Sequence, residues 1–352
     1  MKFLYKKLLK PILFKFSPEK VHNAFVASGE ILGRFSFGRF VMRIFYGYKG
    51  DDISKTVDGV FYKQPILLSA GFDYNAKLTE ILPSLSFGGV EVGSVTARKC
   101  LGNPSPTLTR LKKNQSIIVN KGLKNDGVEK IIERLKFKKR IKDFVIGISI
   151  AMTNDSTNST LEESIQDYVF SLKRLAQENI SDYFTINISC PNAYNGEDFA
   201  NKENLEKLLL ELKTVRHSKP MYIKMPINKS EKEFDEMIEV IIKHKMNGVV
   251  IGNLNKNYDD LEYRDEAPKN FSGGLSGRPT RKLSLEHIRR TKKKYGNKLT
   301  IIGVGGILTP KDAVDKFEAG ADLVQLITGM IFEGPHLIKE ICEEYKRMLK
   351  SQ

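Results

Sequence analysis

The stretch Tyr183–Gly196, read YFTINISCPNAYNG, holds the densest set of side chains able to do chemistry. Phe184, Thr185, Ile186 and Ile188 alternate in the manner of a strand, which then breaks into a Pro- and Asn-rich loop carrying Asn187, Cys190, Asn192 and Asn195. A thiol, with a reference pKa of about 8.5, can serve as a base or nucleophile once ionised. Taken alone, Cys190 reads first as inert packing, since cysteine is among the most often buried residue types. The amides change that balance. Asn253 and Asn120, the latter in VNKG, add neutral donor and acceptor pairs that suit a planar imide or amide ring better than a phosphate. Lys224 closes the run YIKMP, and its alternation with Ile223 and Met225 turns its ammonium inward, where it needs an electron-rich partner. No histidine stands at the end of any strand-like run, which disfavours a Ser-His-Asp site or a zinc hydrolase.

Two glycine-rich pieces point to a second kind of group. GVGGI (Gly303–Ile307) and LITGMIFEGP (Leu326–Pro335) each end an apolar run near the carboxyl end of the chain. Backbone N–H groups there, with a helix amino terminus, can hold a phosphate without a cationic side chain.

Such groups need a frame that brings strand ends together. Eight short apolar runs, Ile66–Ser69, Gly89–Gly93, Val145–Ile150, Tyr183–Ile188, Met221–Met225, Gly248–Gly252, Thr300–Val304 and Asp322–Ile327, alternate with amphipathic stretches. The stretches predict helices over Ala76–Leu82, Gly127–Leu135, Leu161–Gln177, Lys202–Val215, Glu231–Lys243, Arg281–Lys294, Pro310–Ala319 and His336–Leu349. Eight strand-then-helix units fit an α/β fold of the closed (β/α)8 TIM-barrel kind better than an open sheet. The site would then lie at the carboxyl ends of the strands.

Ahead of the barrel, KFLYKKLLKPILFKF sets Phe3, Leu4, Leu8, Ile12 and Phe16 near helical spacing among lysines, and Ser17-Pro18 opens a second helix running to about Gly33. The division expected is a two-helix amphipathic extension over residues 1–47 and a catalytic barrel over 48–352. Residues 1–50 hold ten Lys or Arg against two Glu, so over half of the net charge of +15 sits in a seventh of the chain. Lysine over an apolar face suits a membrane surface or an apolar ligand, and equally a helical pair packed on the barrel. The segment is too interrupted by lysine to span a bilayer and lacks the pattern of a signal peptide. Three scattered cysteines offer neither a disulfide framework nor metal spacing, so no metal is expected. No aromatic-basic groove marks nucleic-acid binding.

With these residues in place, the chain resembles the dihydroorotate dehydrogenases, and more closely the quinone-dependent, membrane-associated class. The resemblance runs through SPEKVHNAF, SAGFD (Ser69–Asp73), EVGSVT (Glu91–Thr96), GNPSPTLTRL (Gly102–Leu111), NISCPN (Asn187–Asn192), SGGLSGRP (Ser272–Pro279), IIGVGGI (Ile301–Ile307) and LVQLITGMIFEGP (Leu323–Pro335). It implies FMN-dependent oxidation of dihydroorotate to orotate in pyrimidine synthesis, with electrons passed to a quinone at the cytoplasmic side of the cell membrane. By position in the matching motifs, FMN would bind through Ala70, Gly71, Ser94, Ser149, Asn187, Lys224, Gly252, Gly277, Gly305, Gly306, Thr328 and Gly329. Asn120, Asn187, Asn192 and Asn253 would hold orotate, and Cys190 occupies the position of the catalytic base.

The chain also departs from that family's pattern. Cys190 stands where the quinone class has serine, as in the soluble class. Tyr74 replaces a lysine that holds substrate and flavin, Ser149 an asparagine, Gly252 and Leu254 threonines, and Ile327 a tyrosine. Lys121 or Lys124, in NKGLKND, is a candidate for the missing charge. Two other readings stand beside the quinone enzyme: a barrel of the same kind serving a soluble acceptor such as fumarate or NAD, and a non-catalytic FMN- or phosphate-binding barrel at the membrane surface.

Overall fold

The computed structural model describes residues 2–155, 158, 160–189 and 199–351. Eight parallel strands, Ile66–Leu68, Gly89–Val95, Val145–Ile150, Tyr183–Asn187, Met221–Met225, Gly248–Ile251, Thr300–Val304 and Leu323–Leu326, close into a barrel. The closing pair runs from Val324 beside Ile66 to Leu326 beside Leu68. All eight expected runs are strands, because β-branched residues alternate along each and both faces find apolar cover. Leu67, Val145, Tyr183, Tyr222, Val250, Ile302 and Leu323 fill the lumen. Their neighbours, such as Leu68, Ile146, Phe184, Ile223 and Val249, pack outward against the helices.

Seven of the expected helices form, among them Glu231–Lys243 with a capping box from Ser230 and Glu233. The helix expected over Ala76–Leu82 does not. The Asp73 carboxylate accepts the N–H groups of Lys77 and Leu78, both at 2.7 Å, and Ala76 sits at φ +56°, so the chain turns there instead of coiling. Only a short 3-10 turn, Leu82–Leu85, follows.

At the amino end, Lys2–Leu13 is helical, with a π turn over Tyr5–Leu9. Ser17 caps the helix Pro18–Arg34 by accepting the Lys20 N–H at 3.2 Å. A further helix, Ser36–Tyr46, takes up the apolar residues that the sequence left without an element. Phe3, Leu8, Ile12, Phe16, Phe25, Phe35, Phe37 and Phe40 are exposed along these helices. No helix among the described residues is long and apolar enough to cross a membrane.

The excursion after the second barrel strand adds what the sequence reading omitted. Leu108–Leu111 and Ser116–Val119 form a hairpin, joined by Gly274–Leu275 from the loop after the sixth strand into a three-stranded antiparallel sheet. Glu19 ties the helix Pro18–Arg34 to this sheet, accepting from the N–H groups of Thr107 (2.7 Å) and Leu108 (2.9 Å).

Candidate functional site

Strand ends converge as the alternation requires. Ala70 and Gly71 after the first strand, Ser94 in the second, Asn187 in the fourth, Lys224 in the fifth, Asn253 after the sixth and Thr328 after the eighth line one cavity at the barrel mouth. Lys224 is buried and inward, while Ile223 and Met225 join the outer core, as its alternation predicted. Gly252, Gly277, Gly305 and Gly306 line an adjoining cavity that shares Ala70, Lys224, Asn253 and Thr328 with the first.

A chain of hydrogen bonds fixes the polar wall. Asn187 Nδ2 donates to Ser94 Oγ at 2.8 Å, and the hydroxyls of Ser94 and Ser149 lie 2.8 Å apart. Asn187 Oδ1 accepts from the N–H and hydroxyl of Ser189, both at 3.2 Å, while Asn253 Nδ2 donates to Ser189 O and Oγ, both at 2.7 Å. Ser149 therefore steadies Ser94 from behind and does not itself line either cavity. Asn120 is also held back from the wall: its Oδ1 accepts from Asn103 Nδ2 at 2.7 Å, and its neighbours Val119 and Lys121 face the cavity. Cys190, Asn192 and Asn195 lie outside the described residues.

The glycine-rich end has the shape of a backbone cradle. Gly305 and Gly306 adopt φ of +104° and +71°, and a Cβ at Gly306 would run into the Arg281 backbone. Gly329 has no room for a side chain either, since a Cβ there would meet the Ile307 carbonyl. Thr328 Oγ1 donates to Ser276 Oγ at 2.9 Å. These glycines fit a phosphate bound through main-chain N–H groups.

Another cavity, of about 260 Å³, lies between the amino-terminal helices and the barrel. Its wall is almost wholly apolar, with Leu13, Phe14, Val21, Phe25 and Leu32 from the helices and Ile81, Leu82 and Met330 from the barrel side. His22, Phe72, Leu108, Ile117 and Ile331 line both this cavity and the polar one, so the two adjoin through a shared wall. Burial, helped by the nearby Lys121 charge, pushes the His22 imidazole down to about 3, which keeps it neutral. Its Nε2 is buried with no hydrogen-bond partner among the described residues. Arg110 reaches the same cavity, its guanidinium 4.6 Å from the Phe14 ring and bonded to Phe16 O at 2.8 Å. Neither residue was picked out from the sequence. The helical spacing of Val21, His22 and Phe25 and the alternating TLTRL were the signals that could have found them.

Comparison with known proteins gives one consistent result. The family model described as dihydroorotate dehydrogenase matches residues 53–349. The chain is 38% identical to a dihydroorotate dehydrogenase (quinone) of Christiangramia forsetii, over 97% of this chain and 98% of that one. It is 34% identical to another protein of that name from Polynucleobacter necessarius, over 94% of this chain and 95% of that one. A crystal structure of DHODH from Eimeria tenella in complex with ferulenol superposes with a TM-score of 0.83 at 23% identity, covering 97% of this chain and 95% of the other, a likeness of fold.

Proposed function

Because the chain belongs to the dihydroorotate dehydrogenase family, we infer that it oxidises dihydroorotate to orotate and delivers the electrons to a quinone. One observation carries the choice of acceptor: the apolar cavity beneath the amino-terminal helices abuts the polar cavity at the barrel mouth. A quinone is a flat apolar ring with carbonyl oxygens, which matches an apolar wall with His22 and Arg110 as its polar points.

FMN is the cofactor that fits the cradle. Ala70, Gly71, Ser94, Asn187, Lys224, Gly252 and Gly277 would hold it, with its phosphate on the backbone at Gly305, Gly306, Thr328 and Gly329. When bound it supplies the hydride acceptor. The protein's part is to seat the ring and move a proton. Asn187 and Asn253, fixed through Ser94 and Ser189, present amide groups to the pyrimidine, joined by Asn192 and by Asn120 should it turn from Asn103. Cys190 would take the proton from the carbon alpha to the ring carbonyl as hydride leaves the adjacent carbon with its bonding pair, and the electron pair of the C–H bond that loses the proton becomes the new carbon–carbon double bond. A thiol suits this role, being easier to deprotonate than the serine hydroxyl it replaces.

In this reading residues 1–47 are the access module for quinone and 48–352 the catalytic barrel. The exposed apolar and lysine side chains of the helices rest on anionic headgroups at the cytoplasmic face of the cell membrane without entering as a span. Cys190 favours a second reading, with fumarate or NAD as acceptor, and one experiment separates the two. The purified protein should be yellow and should bleach anaerobically on adding dihydroorotate. Colour should then return rapidly with decylubiquinone or menadione and slowly with fumarate or NAD, and the reverse order would refute the quinone assignment. A protein that neither carries flavin nor can be loaded with it refutes the enzyme.

A further inference from the structure

Lys121 follows the strand Ser116–Val119, and its ammonium lies 4.6 Å from the centroid of the Tyr74 ring. That ring is also stacked on His22, with centroids 5.5 Å apart and planes within 19°. The three side chains form a cluster in the wall of the polar cavity. No Asp or Glu is among the residues lining that cavity, and among the described residues Lys121 makes no ion pair. Lys124 stands exposed at the rim and raises the positive potential further. Lys224 also lines the glycine-rich end and is taken up with the cofactor.

A half-buried ammonium whose nearest partner is an aromatic face retains N–H donors for an anion. Dihydroorotate and orotate carry one, the carboxylate, on an otherwise neutral ring. We propose that Lys121, carried on the face of Tyr74, is the cation that recognises the substrate carboxylate and so selects the carboxylated pyrimidine over the bare ring. This rests on the dihydroorotate reading above. Tyr74 acts as a platform: it brings no charge of its own but holds the lysine stem at the wall. Its own position is set by the turn in which Asp73 accepts from Lys77 and Leu78.

Orotate and uracil differ only in the carboxylate, so their comparison isolates the contact. Both are titrated into the flavin-loaded full-length protein, read by the perturbation of flavin absorbance and by calorimetry. In Lys121→Ala, orotate should bind about 10- to 100-fold more weakly, the scale of one charge-assisted hydrogen bond, while uracil stays within about threefold. Lys121→Arg, which keeps the charge, should recover most of the loss. With dihydroorotate, KM should rise far more than kcat falls. Unchanged orotate binding in Lys121→Ala, an equal loss for orotate and uracil, or a loss found in Lys124→Ala instead would each overturn the proposal. Failure of the underlying function looks different: the wild-type protein itself would then not be reduced by dihydroorotate.

Discussion

Glu19→Ala should disconnect the quinone route from substrate oxidation. Glu19 accepts hydrogen bonds from the N–H groups of Thr107 at 2.7 Å and Leu108 at 2.9 Å, with the Thr107 hydroxyl at 3.4 Å. A hydrogen bond to a charged group contributes about 1.5–3 kcal/mol. Two such bonds would contribute about 3–6 kcal/mol, which solvent screening of the half-exposed carboxylate reduces to about 2–4 kcal/mol. Losing them shifts the docking equilibrium of the helix Pro18–Arg34 by roughly 30- to 700-fold. Three measurements read the result. Anaerobic flavin reduction by dihydroorotate should stay within about twofold of wild type, the KM for a short-chain quinone should rise at least about tenfold, and amides of residues 18–34 should exchange faster. Faster exchange with an unaltered quinone reaction would show that the acceptor does not enter under these helices. Unaltered exchange would show that Glu19 is not their clamp. The pH dependence has a definite sign. Burial alone pushes the Glu19 carboxyl up, but its backbone hydrogen bonds, Thr107 and Leu108 N–H among them, with the Ser17 hydroxyl bring it below the ordinary value of 4.5. A depressed carboxyl stabilises docking fully above its unfolded value and loses that contribution only as pH falls through its folded one, so the clamp holds at neutral pH and weakens in acid.

Three other outcomes test separate parts of the site. Cys190→Ala should retain flavin while its reduction by dihydroorotate slows by at least about 100-fold, as expected for loss of a general base, and near-normal reduction would assign the proton to another group. Gly306→Val should bind FMN at least about tenfold more weakly, measured by fluorescence titration of the apoprotein, because φ of +71° and the adjacent Arg281 backbone exclude a side chain. Orotate affinity should fall above about pH 8, approaching tenfold per unit, because burial and then Lys124 pull Lys121 down to about 8 against the opposing pull of Glu19. His22 and Tyr74, the other titratable groups of the cluster, stay neutral across that range, the first pushed down and the second up. In Lys121→Arg the fall should vanish, which the same titration checks.

The barrel could be read from the sequence because each of its strands is a local pattern. Runs such as Val145–Ile150 and Met221–Met225 advertise their length, their alternation and their end, and eight of them in series leave little freedom of topology. The inward turn of Lys224 followed from the same period. What was missed depends on contacts and backbone conformations that residue spacing does not show. The Ala76–Leu82 stretch has helical spacing, but Ala76 sits at φ +56°, outside the helical region, and the Asp73 carboxylate holds the Lys77 and Leu78 N–H groups in the resulting turn. Asn120 carries the right chemistry at the right place along the chain, yet Asn103, brought in by the Thr107–Asn120 pairing, claims its carbonyl oxygen. Lys121 and Lys124 were equivalent candidates as letters. Only the fold distinguishes them, by laying one on Tyr74 and leaving the other at the rim.

On the proposed reading, the shared wall would let one barrel mouth serve two dissimilar molecules. An anionic pyrimidine entering the helix-side cavity would surrender its hydration to a surface of Leu, Phe, Val and Met, a cost of several kcal/mol that only the lysine and asparagine side repays. A quinone gains by burying apolar area, at about 25 cal/mol per Å², so it is drawn to the other side. On that reading sorting would follow from solvation alone. Leu108 is where the two requirements meet: its side chain faces both cavities, and its N–H is held by Glu19. On the proposed reading the amino-terminal helices would complete a partition that the barrel alone leaves open. Their loss should blur the distinction between the two sites as well as remove one of them.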